Sequence, residues 1–233
     1  MDWIDRFQLF LFDLDGLLVN TEELHFLAYK NMLKNRGYDL AWDFLRYCRT
    51  AHYHSDKIAS ELYEMFPTLL CQEPSWDILY LEKKQAMIHL LEVGAVQLMP
   101  GVLELLTILK ERNLKHCVVT HSPNELVELI RKQHPILNSI PNWITRRDYV
   151  SPKPSSECYL KAIKMYASEG DKIIGFEDSP RGLRALMGTR ALTVIVCDVP
   201  YPEIEEFTKL GALHYINFTE LLSSNLGVLD IKR

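Results

Sequence analysis

Several familiar signatures are missing from this chain of 233 residues. No stretch matches G-x-x-x-x-G-K-[ST] or G-x-G-x-x-G, so neither glycine-rich nucleotide-binding signature is present. There is no excess of basic residues. Lys and Arg total 26 against 31 Asp and Glu, a formal charge of -5, which argues against nucleic acid as the main partner. The five cysteines, Cys48, Cys71, Cys117, Cys158 and Cys197, are odd in number and include no Cys-x-x-Cys pair, so they read as reduced thiols, in part core filling. The start of the chain lacks a basic leader region, and its apolar run Leu9 to Phe12 is far too short for a signal peptide or a membrane span. A cytoplasmic protein without a membrane partner is expected. No repeat or low-complexity stretch is visible.

What is present is an ordinary globular composition, 48% hydrophobic and 24% charged, long enough for one core domain plus an insertion. Phe10-Leu11-Phe12 reads as a buried strand. From Asn20, a candidate N-cap with Glu23 three residues on, to about Glu92 the pattern is helical. Leu24, Leu27, Ala28 and Met32 mark one apolar face, Gly37 a stop, and further helices are expected over 41–47, 55–66 and 76–91, punctuated by Pro67 and Pro74. After a return linker, Gly94 to Pro100, strands and helices alternate. Helices are expected around Val102 to Leu109, Pro123 to Gln133, Tyr159 to Tyr166 and Pro180 to Met187, and strands at 116–120, 142–144, 172–176 and 193–197. The segments 202–210, 214–216 and 219–222 would finish the sheet edge. The fold class predicted is therefore α/β: a doubly wound parallel sheet over residues 1–19 and 96–233, interrupted after strand one by a helical cap over 20–95.

In such sheets ligands bind beyond the carboxyl ends of the strands, where strand order reverses. Strand one ends in Asp13 and Asp15 before Gly16, a pair that reads either as a turn or as charge delivered to a site. The strand ending at Thr120 is followed by His121 and Ser122; Ser122 suits the cap of the next helix, which leaves Thr120 for a ligand and His121 as a bystander. Lys153 stands between Pro152 and Pro154, which stiffen a loop ahead of a helix and aim the side chain. A fourth strand ends in Glu177-Asp178-Ser179-Pro180, a second acid pair with a cap and a first-turn proline. Four carboxylates converging on one switch point repel one another without a divalent cation, and all-oxygen ligation suits Mg²⁺. With a hydroxyl and a fixed lysine, the set describes a phosphate-handling site.

The segments Asp13-Leu14-Asp15-Gly16-Leu17-Leu18-Val19, Val118-Val119-Thr120, Lys153-Pro154 and Gly175-Phe176-Glu177-Asp178-Ser179-Pro180-Arg181-Gly182 together resemble the four motifs of the haloacid dehalogenase superfamily. The helical insert resembles the C1 cap of its subfamily I, the phosphoglycolate phosphatase and β-phosphoglucomutase-like group. The resemblance implies Asp13 as nucleophile and Asp15 as general acid and base. It implies Thr120 and Lys153 on the transferring phosphoryl group, and Mg²⁺ held by Asp13, Glu177, Asp178 and the backbone carbonyl of Asp15. In the cap, Thr21 and His25 match a hinge segment whose histidine shapes the mutase site. The mutase's cap-loop glycine and arginine find only Ala51 and His54 here, although Arg49, His52, His54 and Lys57 make the region polar and partly basic.

The expectation is an Mg²⁺-dependent phosphatase for a small phosphorylated metabolite, acting through an aspartyl-phosphate, as a monomer or weak dimer. β-Phosphoglucomutase-like phosphotransfer is the alternative enzyme, and a non-catalytic phosphate- and metal-binding sensor or adaptor the alternative of another class. Dehalogenase chemistry has no use for Asp15, and none of Lys30, Lys34 or Lys57 shows a reason for the lowered pKa a Schiff-base lysine needs.

Overall fold

The computed structural model describes residues 3–51, 55–94, 96–224 and 226. Strand β1 (Leu9–Phe12) is wholly buried and stops one residue before Asp13. Among the described residues the helices α1 (Thr21–Asn35), α2 (Phe44–Ala51), α3 (Ser55–Met65), α4 (Pro67–Gln72) and α5 (Trp76–Glu92) follow. The chain then alternates through α6 (Val102–Glu111), β2 (Lys115–Val119), α7 (Asn124–Gln133), β3 (Asn142–Ile144), α8 (Glu157–Tyr166) and β4 (Ile173–Glu177). It ends with α9 (Pro180–Met187), β5 (Leu192–Val196), α10 (Ile204–Lys209), β6 (Leu213–Tyr215) and α11 (Phe218–Ser223). The strands form one parallel sheet in the order β3-β2-β1-β4-β5-β6, the doubly wound α/β arrangement. Order reverses at β1, so the crevice opens at the tips of β1 and its neighbours.

Register decides which acids meet. Phe12 is level with Val118 on one side and Phe176 on the other, and the Asp13 N–H donates to the Phe176 carbonyl at 3.1 Å. Asp13 and Glu177 therefore stand side by side at the tips of two central strands. Alternate residues face opposite layers, as pleating requires. Phe12 stacks on Phe176 at 5.0 Å with Phe218 edge-on to both, while Leu9, Leu11, Cys117 and Val119 pack with Tyr159 and Ala162 of α8.

The chain divides into two compact units, Met1–Asn20 with Gln97–Arg233, and Thr21–Val96. Within the first, the two crossing segments are tied together. Asn20 donates its N–H to the Gln97 carbonyl at 3.0 Å and accepts the Gln97 N–H on Oδ1 at 2.7 Å, and Val19 bridges Leu98.

In the second unit α1 packs on α5, with Tyr29 stacked over Trp76. Its buried stripe is Leu24, Ala28, Tyr29, Met32 and Leu33; Leu27, expected on that face, is exposed because it lies on the far side of a helix centred on Ala28 and Met32. Helix α2 begins three residues later than the sequence pattern indicates, since Asp43 accepts the Arg46 N–H at 2.7 Å and sets the start. Pro67, read as a break, opens the additional helix α4, where its missing N–H costs nothing. Gly37 ends α1 at φ +86°, with the Tyr38 N–H on the Leu33 carbonyl. His52 and His54 lie outside the described residues. Cys48, Cys117, Cys158 and Cys197 are buried thiols, and no helix among the described residues is long and apolar enough to cross a membrane.

Candidate active site

Lys153 organises the tips of the central strands. Its side chain is buried, with Nζ 2.5 Å from Asp13 Oδ1, 2.6 Å from Glu177 Oε1, 3.0 Å from the Val119 carbonyl and 3.2 Å from the Tyr159 hydroxyl. Burial works against the ammonium, but the Asp13 and Glu177 carboxylates outweigh it and hold the lysine above its ordinary pKa, so it stays charged. Tyr159, on the buried face of α8, donates its hydroxyl to Glu177 Oε1.

Asp15 belongs to a separate set of contacts. Its Oδ2 accepts from the Thr120 hydroxyl at 2.9 Å and the Ser122 hydroxyl at 2.8 Å. Ser122, expected as the cap of α7, is thus spent on Asp15, and Pro123 takes the cap position without a side-chain hydrogen bond. Thr120, expected on a phosphoryl oxygen, also turns to Asp15 and accepts the Ser122 N–H at 2.9 Å. One hydroxyl proton cannot serve Asp15 and a phosphate at once, so engaging phosphate requires Thr120 to rotate while Ser122 keeps hold of Asp15.

The lysine loop is held by more than its prolines. His121 Nε2 accepts the Lys153 N–H at 2.8 Å, Tyr149 donates its hydroxyl to the Thr120 carbonyl at 3.0 Å, and Glu157 accepts the Val150 and Ser151 N–H groups. His121 is therefore no bystander. Burial, then the Lys153, Arg181 and Arg146 charges, press its pKa down to about 3, which keeps Nε2 an acceptor. Sequence reasoning missed Tyr159, Tyr149 and the role of His121, because each acts through a partner far away in the chain. On the other side Ser179 caps α9 by accepting the Gly182 N–H at 3.2 Å, with Pro180 in the first turn, as the sequence indicates.

Gly182 is there for space. A Cβ at this position would collide with the Glu177 carboxylate, and that carboxylate cannot swing aside while Lys153 and Tyr159 hold it. Gly182→Ala is expected to cost about 1–3 kcal/mol, as overpacking does, and calorimetry would read it as a lower Tm. An unchanged Tm would mean that Glu177 is free to move.

Asp13, Glu177 and Asp178 are all buried, and each offers an oxygen within 4.8 Å of the others. The Asp15 carboxylate is not part of this group. Two of these three buried carboxylates share Lys153, and the donors are all hard oxygens, so the residues fit a divalent cation. The crowding of acids registers on Asp13: burial, then the neighbouring Glu177 and Asp15 charges, push its pKa up to about 8 although Lys153 opposes them.

An acid whose pKa rises on folding takes up a proton as the chain folds, so its contribution to stability is lost as pH climbs towards the folded value. Below about 6.5 the buried His116 and His121, whose pKa values are lowered, act in the opposite sense. The clean window is therefore from about 6.5 to about 8. There the Tm of cation-free protein should fall with pH and the gain on adding Mg²⁺ should grow; a Tm rising through that window contradicts the raised pKa of Asp13.

Comparison with known proteins follows the same lines. A family profile described as haloacid dehalogenase-like hydrolase matches residues 10–195. The chain is 31% identical over 229 residues to protein CbbY of Cereibacter sphaeroides, covering 95% of this chain and 96% of that one. It is 29% identical over 178 residues to the phosphorylated carbohydrates phosphatase of Thermotoga maritima, covering 75% and 78%. Among solved structures, a predicted phosphoglycolate phosphatase from Haemophilus somnus superposes with a TM-score of 0.75 at 20% identity, covering 93% of this chain and 97% of that one, a likeness of fold.

Proposed function

The chain belongs to the haloacid dehalogenase-like hydrolases and is a phosphohydrolase, and from that premise we propose that it releases orthophosphate from a small phosphorylated metabolite through an aspartyl-phosphate on Asp13, with Mg²⁺ as cofactor. One observation carries the reading. Lys153 bridges Asp13 and Glu177 inside a buried three-carboxylate group, while Thr120 and Ser122 hold the Asp15 carboxylate apart from it. The arrangement separates an acid suited to bond with phosphorus from an acid suited to move a proton.

In this reading the Asp13 carboxylate attacks phosphorus and the bond to the leaving oxygen breaks, with Asp15 supplying that oxygen with a proton. Asp15 then takes a proton from water, whose oxygen displaces Asp13 and releases orthophosphate. Lys153, anchored by the Val119 carbonyl, gives up part of its hold on the carboxylates to donate to a phosphoryl oxygen. Asp13, Glu177 and Asp178, with the Asp15 backbone carbonyl, would hold Mg²⁺, which when bound would supply positive charge against the nonbridging oxygens and favour an ionised Asp13. The helical unit would select the substrate. There Thr21 is fully buried at the start of α1, and His25 Nδ1 lies 2.6 Å from Lys83 Nζ. The name of the Thermotoga relative supports a sugar phosphate as the substrate class.

A phosphate-release screen over phosphorylated metabolites, with and without EDTA and with Asp13→Asn as blank, tests the proposal. Mg²⁺-dependent release that the blank lacks is expected. An inert protein, or release that survives in the blank, overturns it.

A further inference from the structure

We propose that the Tyr159 hydroxyl is a positioning group for phosphoryl transfer: by sharing Glu177 with Lys153 it leaves part of the ammonium available to the phosphoryl oxygens. The inference rests on the phosphatase reading above and extends it to a residue outside the four motifs.

The ring and the hydroxyl of Tyr159 answer to different demands. The ring is fully buried against Leu9, Leu11, Val119 and Ala162, a packing role that phenylalanine would fill equally well. The hydroxyl is the surplus feature, and at this depth it needs a partner. It donates to Glu177 Oε1 and lies 3.2 Å from Lys153 Nζ, at the junction of the two.

Proton counting shows what this accomplishes. Lys153 has three N–H groups for four acceptors, Asp13, Glu177, the Val119 carbonyl and, most distant at 3.2 Å, the Tyr159 oxygen, so every proton is already engaged within the protein. A phosphoryl oxygen must take one of them. Glu177 is only 1% exposed, and without the phenol its Oε1 would depend on Lys153 alone among the groups described at that oxygen. A buried carboxylate deprived of a donor holds its remaining one harder, because water is not there to replace the loss. The phenol supplies that second donor and brings no charge of its own, so the ammonium's charge is not cancelled. Phosphate binding should therefore depend on a hydroxyl that need not touch phosphate.

Titration calorimetry tests this with orthophosphate and Mg²⁺ as the probes. With Mg²⁺ saturating, Tyr159→Phe should weaken orthophosphate binding about tenfold, the scale of one hydrogen bond to a charged group. Mg²⁺ affinity without phosphate should change less than about threefold, because Asp13, Glu177 and Asp178 all remain. Equal losses for anion and cation, or unchanged orthophosphate binding, overturn the proposal. The mechanism also requires coupling through Glu177. In a Glu177→Gln background, adding Tyr159→Phe should shift orthophosphate affinity less than about twofold, and a full tenfold shift there overturns it. This second comparison leaves no buried charge short of a donor, so it remains available if the single variant does not fold. Wild-type protein without Mg²⁺-dependent orthophosphate binding would overturn the phosphatase reading and this inference together; wild-type binding that Tyr159→Phe leaves intact would overturn the inference alone.

Discussion

Asp13→Asn should abolish turnover, lowering kcat on the order of 10⁴-fold or more, because in the proposed mechanism nucleophile, proton carrier and charge-neutralising groups act as a unit. The substitution keeps the shape of the side chain, so the loss would be chemical. It also removes one of the two carboxylates competing for Lys153 and leaves Glu177 paired. Folding should consequently survive, and the decline of cation-free stability between about pH 6.5 and about pH 8 should flatten, since that decline belongs to Asp13. Orthophosphate release measures the first effect and thermal melts across that window the second. A variant retaining more than about a hundredth of wild-type kcat would remove Asp13 from the role of nucleophile.

Lys153→Met should be damaging in two ways at once. Asp13 and Glu177 would be left in a nearly dry site without the ammonium that now lies within 2.6 Å of each. Breaking a buried pair by removing one partner costs about 3–5 kcal/mol, which for a chain of this size lowers Tm by roughly 10 °C. The penalty should shrink as pH falls, since the stranded carboxyls then take up protons and cease to be buried charges. Activity should drop about 10³-fold even where the variant is folded, since in the proposed mechanism Lys153 stabilises charge on the phosphoryl group. Lys153→Arg should not rescue it, because a planar guanidinium cannot reproduce contacts arranged around one nitrogen. Melting curves at about pH 5.5 and about pH 8, alongside phosphate release, decide the matter; a Tm within about 2 °C of wild type at both would mean that the ion pairs contribute little.

Much of this protein is readable without coordinates. The alternation of short apolar runs with amphipathic stretches indicates the doubly wound sheet, since a strand covered on both faces must be apolar throughout. The acids at two strand tips, the lysine between prolines and the serine-proline helix start are local patterns with local causes. The errors are instructive. Helix starts in the inserted unit shifted where a side chain such as Asp43 took over the cap, or where Pro67 could open a helix as easily as close one. Leu27 counted as core by its chemistry but lies on the wrong side of its helix.

The amino-acid sequence by itself determined the fold class and singled out Asp13, Asp15, Lys153, Glu177 and Asp178 as the groups to watch, because periodicity and turn chemistry are written in neighbouring residues; the resemblance of these segments to the family motifs added their implied roles. Tertiary structure decided how those groups are shared. It placed β1 between β2 and β4, so that Asp13 and Glu177 meet over one lysine; it sent Thr120 and Ser122 to Asp15; it made His121 a support for the lysine loop; and it brought Tyr159 under Glu177. These pairings join residues far apart in the chain, and a hydrogen bond depends on distance and direction in space, which no spacing along the sequence encodes.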